Sequence, residues 1–147
     1  MSHRASADRG RRGSRRPLGY WLPVLVYMGV LFWLSSRERG LDLARWGLWE
    51  LSDKWQHMIG YSVLGMLLFR AFRGNLAFPV VPSILCATLA GAAYGASDEI
   101  HQRFVPGRTM DPRDALADIV GTFVGAVVVA LVAGLGRRIR EGARGRA

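Results

Sequence analysis

The chain has 147 residues, enough for one domain, and half of them are apolar. Its formal net charge is +9, and 19 of its 20 basic residues are arginine. The apolar residues gather into long runs and the arginines into the two ends, which excludes an ordinary soluble core and favours membrane orientation over nucleic-acid binding.

The first 17 residues form a basic tail, expected to be disordered. Leu18–Ser35 follows without a charge; as a helix it is about 27 Å long and just crosses the hydrocarbon. Pro17 and Pro23 fall near its start, where proline is tolerated. Ser14-Arg15-Arg16 ahead of this run has the look of a twin-arginine export signal. No small-x-small cleavage site follows and no soluble domain remains to be exported, so an uncleaved anchor is expected. In 36–52, two tryptophans and scattered charges between Leu41 and Leu51 suit a short interfacial helix or a surface loop.

A second span is expected from Trp55 to Phe72, with Arg70 able to snorkel at its end. After a short connection, 73–77, a third runs antiparallel from Phe78 to Ser97, with Pro79 and Pro82 in its first turns. It contains the lone cysteine, Cys86, so no intramolecular disulfide and no thiolate metal site are expected. A fourth, Ala115–Gly136, is rich in Val, Ala and Gly, and the basic tail 137–147, expected like the first to be disordered, follows it. The expected fold is all-α, a polytopic membrane bundle of about four transmembrane helices, with residues 18–136 as the membrane domain.

Charge sets the orientation. The two tails and the short connection hold 13 basic and two acidic residues, against seven basic and nine acidic in the other two connections. The basic excess puts both termini in the cytoplasm. Three ionisable clusters at helix ends then face outward: Asp53-Lys54-x-x-His57-x-x-x-Tyr61, Ser97-Asp98-Glu99-x-His101-Gln102, and Arg108 with Asp114-x-x-x-Asp118.

Helical spacing turns these into stripes. Asp53, His57 and Tyr61 lie four apart; Gly91, Tyr94, Asp98 and Gln102 (or His101) form a second stripe; Asp114, Asp118, Thr122 and Gly125 form a third. Polar groups in lipid need partners, so the stripes are expected to face one another. Gly91-x-x-x-Gly95 and Gly121-x-x-x-Gly125 predict a close pairing of the third and fourth spans.

The chemistry of these residues divides in two. His57 and His101, with Asp53, Asp98, Glu99, Asp114 and Asp118, can supply a histidine–carboxylate metal site or exchange protons as acids and bases. Asp53, His57, Asp98, Glu99 and His101 are the catalytic candidates; a bound divalent metal is not favoured, and His57, Glu99 and His101 are the candidates to hold one. Lys54, Tyr61, Gln102, Arg108, Asp114 and Asp118 are the ligand-binding candidates; Arg108, after the Pro106-Gly107 turn, can clamp a phosphate or carboxylate. The bland alternative is a satisfied polar network with caps at Asp53 and Asp114 that only holds the bundle together. A proton pathway is disfavoured by the lack of ionisable groups in the inner halves of spans three and four.

Three stretches carry a more specific resemblance: Asp53-Lys54-x-x-His57-x-x-x-Tyr61-x-x-x-Gly65, Ser97-Asp98-Glu99-Ile100-His101-Gln102-x-Phe104-Val105-Pro106-Gly107-Arg108, and Asp114-x-x-Ala117-Asp118-x-x-Gly121. Together they resemble the VanZ-like membrane protein family over about Leu18 to Ala133. The family usually has asparagine where this chain has Asp118, which adds an acid. The resemblance implies a small bacterial multi-pass protein of the cytoplasmic membrane. The family's namesake is associated with resistance to teicoplanin, a glycopeptide that acts on the cell wall from outside. The expected partners are the lipid bilayer and a lipid-linked or wall-precursor ligand, not nucleic acid.

Overall fold

A computed structural model describes residues 17–37 and 53–145. Four helices account for most of them: α1 Leu18–Ser35, α2 Asp53–Gly74, α3 Val80–Gln102 and α4 Pro112–Arg144. The interfacial helix expected between Leu41 and Leu51 lies outside the described residues, as do the amino-terminal tail and the last two residues.

Three helices, α1, α3 and α4, are long and apolar enough to cross a membrane. Their large apolar side chains stand outward: Leu25 and Trp33 on α1, Leu85 and Leu89 on α3, Leu131 and Val132 on α4. In a water-soluble monomer so much exposed apolar surface would be anomalous; against acyl chains it is the expected finish. The second expected span differs. α2 has 22 residues, about 33 Å of helix, yet it falls short of the apolar standard the other three meet. Its position explains this. α2 packs against all three other helices and supplies Tyr61, Leu64, Leu68, Phe69 and Ala71 to the buried apolar core. A helix covered by protein on several sides can carry polar residues that lipid would penalise.

Small residues, rather than a large apolar core, bring the helices together. α3 turns Ser83, Ala87, Gly91 and Gly95 inward at every fourth position. The expected α3–α4 contact is present, with Gly91 against the side chain of Thr122 and Gly95 against Asp118. The glycine pair of α4, however, faces elsewhere. Gly121 meets the backbone carbonyl of Met58 and Gly125 that of Ser62, both on α2, while Gly65 of α2 abuts the backbone of Thr122. The closest approach in the bundle is therefore between α2 and α4, not between α3 and α4. Spacing identifies a small face but not the neighbour that covers it.

α1 is attached differently. Tyr27 donates its hydroxyl to the Gly60 carbonyl (3.0 Å), and Tyr94 of α3 donates to the Met28 carbonyl of α1 (2.6 Å). Its buried contacts are few, with Val24 and Leu31 turned to the core. At the opposite end from the polar clusters, the α2–α3 turn is held by Arg73 Nη1 donating to the Phe78 carbonyl (2.8 Å), with Ala77 in the left-handed region (φ 56°).

Two helices outrun their expected ends. α3 continues past Ser97 to Gln102, because Asp98, Glu99 and Gln102 are buried against the bundle instead of leaving it. α4 continues past Gly136 to Arg144, so most of the basic carboxy-terminal tail is helical; arginine is a good helix former and a charged face does not end a helix.

Candidate functional site

The carboxy-terminal ends of α1 and α3 and the amino-terminal ends of α2 and α4 lie together, and the ionisable residues converge there. Asp118 is fully buried, and its Oδ1 lies 2.9 Å from His57 Nδ1. Asp98, Glu99, Gln102 and Asp114 are also buried, each with 5% exposure or less. Gln102 Nε2 donates to Asp98 Oδ2 one turn earlier on α3 (3.1 Å). Thr122 donates its hydroxyl to the Asp118 backbone carbonyl (2.8 Å). Tyr61 forms the floor: its ring stacks on His57 (centroids 6.4 Å) and lies 6.1 Å from that of Tyr94.

The loop between α3 and α4 folds back onto this cluster. The Asp111 backbone N–H donates to Glu99 Oε2 (2.9 Å). Asp111 also caps α4, its side chain accepting from the Arg113 N–H (2.9 Å), with Pro112 in the first helical turn. The same carboxylate takes Lys54 at 3.3 Å, and Lys54 lies 3.6 Å from Asp114. The Arg113 N–H first, then Lys54, hold the Asp111 carboxyl below its ordinary range. The Lys54 side chain is 46% exposed, so this ion pair contributes little to stability. Arg108, half-buried, follows Gly107, whose φ of 75° turns the loop.

Most of the predicted site residues are thus together: Lys54, His57, Tyr61, Asp98, Glu99, Gln102, Asp114 and Asp118, with Arg108 on the adjoining loop. His101 is not among them. Its Nε2 lies 3.0 Å from Ser36 Oγ and its ring packs on Phe32, both from α1. The metal candidates His57, Glu99 and His101 therefore do not converge; His57 and Glu99 group with Asp114 instead, their ligand atoms all within 4.8 Å of one another. The reason is rotational. Residues 99 and 101 are two apart on one helix and point about 200° apart around its axis. The Asp53 side chain lies outside the described residues.

Asp111 was absent from the expected set, which gave capping to Asp114. Its signal is present nonetheless, since an aspartate directly before a proline that opens an apolar helix is an N-cap signature. Ser36 offered no comparable signal, because its role depends on which helix lies opposite.

A family model described as VanZ/LLP1 matches residues 20–133. Comparisons with curated proteins and with solved structures give no match. The matched stretch reaches from the first turn of α1 to well inside α4, so it covers every residue of the buried cluster. By this match, agreeing with the motifs at Asp53–Gly65, Ser97–Arg108 and Asp114–Gly121, the chain belongs to the VanZ-like (VanZ/LLP1) family.

Proposed function

We propose that the polar end of the bundle binds an anionic component of the bacterial cell envelope, such as a lipid-linked phosphate or wall precursor, at the outer face of the cytoplasmic membrane. The observation that carries this reading is the set of cationic or protonatable groups at that end, Lys54, His57 and the loop bearing Arg108, beside buried hydrogen-bonding groups. Burying ionisable groups at a membrane surface is costly, and such groups are retained where they bind or react. Exposed aromatic side chains at the same end, Trp33, Trp55 and Phe104, suit the headgroup region, where a lipid-linked ligand would present its charge.

Two experiments test this. A strain lacking the protein is expected to change its susceptibility to teicoplanin or another envelope antibiotic. The wild-type chain restores it, whereas Arg108→Ala and the His57→Ala/Asp118→Asn double variant, which strands no buried carboxylate, do not, although both accumulate in the membrane. Normal complementation by both variants rules the site out. Orientation is tested separately, with Arg103→Cys and Arg144→Cys in a Cys86→Ser background. A membrane-impermeant maleimide added to intact cells is expected to label the first and spare the second; the reverse pattern overturns the outward assignment.

A second reading has its own support. The His57–Asp118 pair, its carboxylate fully buried, and the Lys54 bridge between α2 and the start of α4 are what a stabilising network requires. In that case the same substitutions lower protein level in proportion to function.

A further inference from the structure

We propose that His57, Glu99 and Asp114 form a binding site for one first-row divalent transition ion, of the zinc or manganese type. Three helices deliver the ligands: α2 the imidazole, α3 and α4 one carboxylate each. Their ligand atoms lie within 4.8 Å of one another, whereas ligands about 2.1 Å from a tetrahedral ion sit about 3.4 Å apart. Side-chain adjustments of about 1 Å therefore close the site.

Two further observations point to a cation. His57 already has its Nδ1 on Asp118 Oδ1 at 2.9 Å. A carboxylate on the imidazole is the arrangement that orients metal-binding histidines. Glu99 is 4% exposed, and its Oε1 accepts no hydrogen bond among the described residues, while Oε2 takes the Asp111 N–H. A buried carboxylate oxygen in this state is costly unless a cation or a proton reaches it. Asp114 Oδ1 likewise accepts no hydrogen bond among the described residues, although the exposed Lys54 pairs with it at 3.6 Å. Asp98 and Asp118 raise the number of buried carboxylates at this end to four, which a divalent charge would offset.

The donor set selects the ion. One nitrogen and two oxygens suit zinc, manganese, iron or cobalt better than calcium or magnesium, which take oxygen alone. Three protein ligands leave a position for water or an exogenous oxygen. The site stands whether or not the same end also takes an anion, because its ligands belong to the chain.

The test uses the full chain, without a polyhistidine tag, purified in micelles, stripped with chelator and titrated calorimetrically with Zn²⁺. One equivalent is expected to bind. His57→Ala and Glu99→Gln each weaken it by at least about tenfold, and Asp118→Asn by about 10–100-fold through loss of the carboxylate that orients His57. His101→Ala leaves it unchanged. Absence of stoichiometric uptake by the wild type, or wild-type affinity in folded Glu99→Gln, overturns the proposal. Cobalt absorption of the wild type gives a reading that needs no variant. Intense low-symmetry d–d bands support the site, and the weak spectrum of an all-oxygen octahedral ion refutes it.

Discussion

Gly125→Ala is expected to disrupt the bundle, although it adds only one methyl group. A Cβ at this position would fall inside the van der Waals envelope of the Ser62 carbonyl, which is backbone and cannot rotate away. α4 would have to move off α2, and with it the contacts of Gly121 on Met58 and of Gly65 on Thr122. Overpacking a tight contact costs about 1–3 kcal/mol where side chains yield, and the upper end or beyond is expected where backbone meets backbone. Gly134→Ala is the control, since nothing lies within 4 Å of its added carbon. Reversible unfolding of the two variants in mixed micelles, read by circular dichroism, makes the comparison. Equal stability would mean that α2 and α4 are not in close contact at Ser62.

His57→Ala is the second large effect. It leaves Asp118, wholly buried, without the imidazole 2.9 Å from its Oδ1. Removing one partner of a buried pair costs about 3–5 kcal/mol, because the charge left behind is uncompensated. Asp118→Asn keeps an acceptor for the imidazole N–H and removes the charge, so it is expected to be mild. The decisive result is the double variant: in the Asp118→Asn background, His57→Ala should cost far less than alone. Equal cost in both backgrounds would show that the loss comes from packing around the ring and not from the stranded carboxylate.

What the sequence made legible follows from what periodicity encodes. α1 runs from Leu18 to Ser35 as expected, because an uncharged run between Pro17 and Arg37 has unambiguous limits. The four-residue spacing of His57 and Tyr61, and of Asp114, Asp118 and Thr122, correctly put each set on an inward face. Spacing on one helix does not identify the opposing helix, so Gly121 and Gly125 were assigned to α3 when they face α2. Nor does counting ligand types settle which of them meet. His101 completes a plausible donor set by composition, yet its place on the helix turns it to Ser36 and Phe32 on α1. The ends of α3 and α4 were set too early because polar residues were read as leaving the membrane. In α3 the polar residues are buried in protein, and in α4 the arginines simply extend the helix.

The close approach of α2 and α4 has a consequence for the order of biosynthesis. α2 is made before α4, so a nascent chain ending before Pro112 contains His57 but not Asp118, and Gly65 but not Thr122. The helix with the least apolar character therefore waits longest for the neighbour that shields it. The buried cluster is in this sense a checkpoint on assembly, formed only once α4 has been delivered to α2.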